Sequence, residues 1–396
     1  MLFVSAISYT ALGQPKAWNW ANGASAVRTF DADGRMTSNE LASYTFDAAS
    51  RITGITQQLW ASRTVTQVIG TATAVVTERY LTPLSWNASY DRRNRIIGFD
   101  RPGSASGFTY DANSNRLSAV SQTISQATDG NADPDTLQTS DSNQAVTLAD
   151  GSSRLLGFSQ TLTKVKGGQT LASTNSTVNY ALDANGNLLS DGLRAFAYDA
   201  ANRHNLTTVT KDGEAAVITY LHNALGQRVF KSEPQVVQSL PDEAALGTPF
   251  TSWLQTNFGW LFGTAQANAT LGQSYVYADA GAQLPSYALL GEYGNGGATS
   301  TGPVEYVWLP LESGDVMPIG IFHNAKLYAM HSDHLNTPRL ITGSASQPVW
   351  QWPYSAFGDN QPSGILSPTG ASSSPELVYT LRFPGQYQDD EAGLFY

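Results

Sequence analysis

His331-Ser332-Asp333-His334-Leu335-Asn336-Thr337-Pro338-Arg339 is the stretch from which the fold is read. Two blocks follow it: Trp350-Gln351-Trp352-Pro353-Tyr354-Ser355-Ala356-Phe357-Gly358, then Leu381-Arg382-Phe383-Pro384-Gly385-Gln386-Tyr387, running on to Glu391-Ala392-Gly393-Leu394-Phe395-Tyr396. Upstream, a shorter unit recurs: an aromatic followed by Asp, then Gly or Asn, then Arg and an aliphatic residue. Its copies carry Asp31 and Arg35, Asp47 and Arg51, Asp91 and Arg95, Asp111 and Arg116, and Asp199 and Arg203. Leu182-Asp183…Gly186-Asn187-Leu188 is a further copy, and Asn223-Ala224-Leu225-Gly226-Gln227 echoes Thr10-Ala11-Leu12-Gly13-Gln14.

The unit reads as a β-hairpin. Its aromatic ends a strand of alternating side chains, as Tyr44 and Phe46 do, and buries its ring on one face. The Asp carboxylate accepts backbone N–H groups in an Asx-turn, and Gly or Asn takes the left-handed position. Arg and the aliphatic residue open the return strand. One hairpin cannot bury its apolar face alone, so the units must stack into a continuous, twisted antiparallel sheet.

In this order the blocks resemble the core of the RHS (rearrangement hotspot) repeat proteins, and the recurring unit resembles their YD repeat. The core positions carrying the likeness are Asp333, His334, Pro338, Arg339, Phe357, Gly358, Arg382, Gly385, Gln386, Tyr387 and Gly393. Asn336 stands where the family has Gly, and Ala392 where it has Thr; Asn is the next best residue at a left-handed turn position. The resemblance implies an all-β fold: a spiralling antiparallel sheet of YD-repeat hairpins forming part of an RHS-type β-shell. It implies a non-catalytic role, enclosing or presenting a C-terminal toxin or effector domain absent from this chain, with secretion machinery as a further partner. The alternative is a cell-surface carbohydrate-binding or adhesion module, in which Trp18, Trp20, Trp60 and Trp86 would meet glycans. Secretion or cell-surface display is expected in either case. The family's self-cleavage motif, Asp-Pro-x-Gly, has no match here. The first residues fall inside a repeat and the last stop where the family continues, so one piece of a longer gene or a truncated frame is expected.

Five segments are expected: a repeat array over 1–120, a polar flexible loop over 121–153, a second array over 154–231, an insertion over 232–272 and the core over 273–396. Within the insertion Phe250, Trp253, Leu254, Phe258 and Leu261 stand at helical spacing, which predicts one short amphipathic helix near 250–262. Asp129-Gly130-Asn131-Ala132-Asp133-Pro134-Asp135 alternates oxygen ligands as a calcium loop does, but Pro134 stands where such a loop needs Gly, so a solvated acidic loop is the reading.

The chain of 396 residues holds only 14% charged residues and a net charge of −10, which argues against a nucleic-acid backbone as partner. It has no cysteine, which removes disulfides and thiolate chemistry. No apolar run is long enough for a transmembrane helix, and the apolar start lacks the basic region of a signal peptide. No cofactor motif is found. His331, Asp333 and His334 are the best metal candidate, but on a strand His334 points away from the other two and further ligands would be needed, so the block reads as structural and no metal is expected. Asp389, Asp390 and Glu391 read as a solvated turn rather than a catalytic carboxylate pair.

Overall fold

The computed structural model describes residues 3–69, 72–125, 138–211, 214–237, 271–279, 284–294, 303–367, 373–382 and 386–395. The fold is all-β and antiparallel. Among the described residues the strands form sheets of three, eleven, fourteen and two strands. Nearly every strand pairs with its neighbour in sequence, as a chain of stacked hairpins must. Two of the sheet changes fall where a single residue separates two strands, at Arg28 and at Tyr180.

The polar stretch 121–153 also differs from expectation. Arg116–Ser125 and Gln138–Leu148 are strands, paired with each other from Ser118↔Ala145 to Ser125↔Gln138. Gln138–Leu148 pairs on its other side with Leu155–Lys166. Both strands are solvated and carry no apolar alternation, but their backbone groups are satisfied by neighbours, which is what a strand requires. The helix expected near 250–262 and the calcium-like run Asp129–Asp135 lie outside the described residues.

Three buried clusters hold the sheets together. Trp18, Trp20 and Ala26 of the first sheet pack on Met317, Ile319 and Ala329. Met36, Tyr44, Ile55, Trp86 and Phe99 pack around Leu340 and Tyr354, so residues of the last third pack against residues of the first half. Tyr306, Trp308, Ile321, Trp350 and Tyr379 centre the third cluster. Full burial of such aromatic and aliphatic side chains contributes about 1.5–3 kcal/mol each.

Buried amides stitch the two halves at specific points. Gln57 donates to the Trp352 carbonyl at 3.1 Å and accepts from the Tyr354 N–H at 3.0 Å. Gln351 accepts from the Trp60 N–H at 2.9 Å and donates to the Trp60 carbonyl at 3.0 Å. Leu366 and Ala61 extend this into a parallel bridge.

Candidate functional site

The recurring unit folds into one turn repeated along the sheets. At Asp31, Asp47, Asp91, Asp111, Asp183 and Asp199 the N–H of the Asp donates to the carbonyl four residues on. The N–H three residues on donates back to the Asp carbonyl. Residue three of each turn is left-handed: Gly34, Ser50, Asn94, Ser114, Gly186 and Asn202. A register shift marks the strand at each exit, as between Thr45 and Phe46, which is the signature of a three-residue loop closed by a bulge.

The Asp side chain locks the turn from inside. Asp47 Oδ1 accepts from the N–H groups of Ala49 and Arg51, while Oδ2 accepts from Arg51 Nε at 2.7 Å. The Arg51 side chain, then its backbone N–H, hold the Asp47 carboxyl below the usual carboxylate range. The partner must sit four residues after Asp. At the fourth copy that position is Asn115, whose amide takes the cation's place, 2.8 Å from Asp111 Oδ2. Arg116, expected as the repeat cation, instead lies 4.7 Å over the ring of Phe357.

Each turn also grips the next. Arg35 lies 5.0 Å over Phe46, Arg51 5.0 Å over Tyr90 and Arg95 4.8 Å over Tyr110. Arg95 Nη1 donates to the Asp111 carbonyl at 2.7 Å and Arg203 Nη1 to the Asn223 carbonyl at 3.0 Å. In the reverse direction the hydroxyls of Tyr90, Tyr110 and Tyr198 donate to the carbonyls of Ile52, Ile96 and Leu188. The aromatic and the Arg of the motif are thus the coupling between hairpins as well as the makings of one.

The core block Asp333–Arg339 is the same turn taken inside the protein. Asp333 Oδ1 accepts from the N–H groups of Leu335 and Thr337, and Asn336 is left-handed at φ 60°. The cation moves two residues further: Arg339 Nε donates to Asp333 Oδ2 at 2.8 Å. Its guanidinium lies 4.5 Å over Trp352 and 4.1 Å over Tyr354. Pro338 opens the buried return strand, opposite Ser332. His331 bonds Glu40 and Thr342, Asp333 closes the turn, and His334 lies against Tyr44. The three candidate metal ligands are thus turned to separate partners.

The remaining core positions are placed around this turn. Phe357 is half-exposed against Phe108, and Gly358 is left-handed beside Trp352. Arg382 donates to the carbonyls of Tyr379 and Leu381, and its backbone N–H to that of Gln386. Gly385 lies outside the described residues. Tyr387 is buried, its hydroxyl 3.3 Å from Glu292. Gly393 is left-handed, and a Cβ there would stand 2.6 Å from the Arg194 guanidinium, so any other residue would displace that side chain.

The acidic cluster is not a solvated turn. Asp389 is fully buried and pairs with Arg228 at 2.5 Å, while Glu391 pairs with Lys231 at 2.7 Å. They fasten the last hairpin onto the sheet, and no local sequence pattern announces the pairing across 161 residues. Glu292 was also unforeseen. It is buried, bonded by Tyr306, Gln273, Tyr387 and Thr380, and burial pushes its carboxyl up. Of the tryptophans considered for glycans, Trp18, Trp20 and Trp86 are buried and Trp60 packs on the second cluster.

No protein-family model matches the chain. It is 26% identical over 257 residues to the tRNA3(Ser)-specific nuclease WapA of Bacillus spizizenii, a match covering 63% of this chain and 8% of that protein. Its fold is similar to part of the Tc holotoxin pore of Photorhabdus luminescens, with TM-score 0.44, 13% identity, 98% of this chain covered and 19% of that one. It is similar to part of the TcdB2–TccC3 complex with TM-score 0.43 and 13% identity, over 98% of this chain and 20% of that one. The chain therefore spans no more than a fifth of the length of these proteins.

Proposed function

We propose that this chain is a non-catalytic structural segment of an RHS-type β-shell, built to enclose or present a toxin or effector domain that lies outside it. The observation that carries the reading is the coupled ladder of turns from Asp31 to Asn115 and its reappearance, buried, at Asp333–Arg339. A ladder that fixes each hairpin against the next makes a stiff wall of any length. The buried last turn then fastens the end of the wall to its beginning through Leu340 and Tyr354. The carboxylates a catalytic reading would need are spent on backbone N–H groups and guanidinium partners, as at Asp47, Asp333 and Asp389. A secreted or surface-displayed product is the matching location.

Sequencing the DNA on both sides of the 396 codons tests the reading. An open frame that runs on into an unrelated C-terminal domain is the expected result. A stop codon directly after Tyr396 would remove the cargo and overturn it.

A further inference from the structure

A cavity of about 510 Å³ is lined from both halves of the chain. The repeat strands contribute an apolar wall that includes Ile52, Ile55, Ile96 and Phe99. The core contributes polar groups, among them Thr337, Arg339, Ser355 and Arg382. A cavity of this size, mostly apolar with a few polar groups, suits a small organic molecule.

The polar part of the lining is under-bonded. Among the described residues, His334 Nδ1, Thr337 Oγ1, Arg339 Nη1 and Ser355 Oγ have no hydrogen-bond partner, and all four residues line this cavity. Thr337 is 2% exposed and Arg339 8% exposed, so both are shielded from bulk water. Buried polar groups are ordinarily bonded, as Gln57 and Glu292 are here. Thr337 and Arg339 stand two residues apart at the start of the strand Pro338–Thr342, the spacing that puts two side chains on one face.

Charge is unbalanced in the same place. Two guanidinium groups, Arg339 and Arg382, line the cavity against one carboxylate, Asp333. Asp333 spends Oδ1 on the N–H groups of Leu335 and Thr337 and Oδ2 on Arg339 Nε. Arg382 is 5% exposed and bonds the carbonyls of Tyr379 and Leu381. Asp390 attracts it without entering an ion pair. Burial holds the His334 imidazole below its ordinary value, so at neutral pH it adds no charge. The lining therefore carries a surplus positive charge, in a chain whose net charge is −10. Buried charges are ordinarily paired.

We propose that this cavity binds a small organic carboxylate with an apolar or aromatic body. The carboxylate accepts from Arg339 Nη1 and the Thr337 hydroxyl, and it balances the surplus charge. A guanidinium and a carboxylate form a strong, charge-assisted pair. The body of the ligand lies against the isoleucines and Phe99. A cation would be repelled, a neutral ligand would leave the charge unpaired, and an inorganic anion would leave the apolar wall unused. This inference does not depend on the shell reading.

Isothermal titration calorimetry of the full chain with benzoate, benzamide and inorganic phosphate tests it. Benzoate is expected to bind, and its uncharged isostere benzamide and phosphate to bind at least about tenfold more weakly. Thr337→Val removes a hydroxyl that bonds nothing in the protein and keeps the backbone N–H that Asp333 accepts. It is expected to melt no lower than the wild type and to bind benzoate about tenfold more weakly. Should it melt lower, Ser355→Ala, at the other orphaned hydroxyl, takes its place with the same expectation. Benzoate that does not bind, benzamide or phosphate that binds as well, or a folded hydroxyl variant that binds benzoate like the wild type each overturns the proposal.

Discussion

Arg51 closes its own turn onto Asp47 and at the same time lies 5.0 Å over the ring of Tyr90, whose hydroxyl returns a 2.8 Å hydrogen bond to the carbonyl of Ile52. The two residues belong to consecutive turns, and Arg51 also reaches the Asp91 carbonyl, 40 positions away in sequence. A cation–π contact and a hydrogen bond of opposite sense fix both the spacing and the rotation of one hairpin against the next.

This relationship predicts a coupling energy. Arg51→Ala should destabilise by about 1–2 kcal/mol and Tyr90→Leu, which removes both the ring face and the hydroxyl, by about 1–2.5 kcal/mol. The double variant should lose less than the sum, with a coupling of about 0.5 kcal/mol or more. Urea unfolding of the four proteins measures it, and strict additivity would mean that the turns are independent.

Asp47 and Asp333 occupy the same turn at opposite burial. Asp47 is partly exposed beside Arg51, whereas Asp333 is fully buried beside Arg339. Asn keeps the Oδ1 acceptor in either place but sets an N–H against a guanidinium N–H at Oδ2. At the surface water relieves this, so Asp47→Asn should cost far less than the same change inside. Inside, Asp333→Asn leaves the guanidinium unpaired and should cost about 3–5 kcal/mol. Equal losses in denaturation would show that burial does not govern the core turn.

Ser114 holds the left-handed position at φ 69° and keeps only a long contact to Arg95, at 3.5 Å. A left-handed L-residue costs roughly 1–2 kcal/mol that glycine does not. Ser114→Gly should therefore raise stability by about 0.5–1 kcal/mol after the added freedom of the unfolded chain is set against it. A fall in melting temperature would place the strain elsewhere.

The turns were legible because their chemistry is local: Asp, a left-handed residue and a cation within five positions. What escaped was of three kinds. At Arg116 the eye follows the cation, whereas the geometry follows the fourth position, where Asn115 does the same bonding. In Gln138–Leu148 Ser, Thr, Asn and Gln predominate, so no hydrophobic period marks the strand and only its pairing defines it. The contacts of Gln57 with Trp352 and Tyr354, or of Asp389 with Arg228, span long separations and leave no periodic trace.

His204 carries the clearest pH dependence. It is wedged against Tyr198 and Tyr220 and bonded to Leu206 and Thr207, and burial, then the Arg228 charge, hold its imidazole down to about 4. In the unfolded chain the ring titrates near the ordinary value of about 6.5. Between these values the unfolded state binds the extra proton, so stability is complete above the upper value and drains away as the pH falls towards the lower one. His222, also held to about 4, acts in the same direction. Thermal melting should thus weaken from about pH 6.5 downwards, before the carboxylates begin to protonate. Replacing His204 by Gln keeps a polar group of similar reach and removes the titration, so it should flatten the melting curve between pH 6.5 and 4. An unchanged slope would mean that His204 is protonated in the folded protein and that the tyrosines around it tolerate the charge.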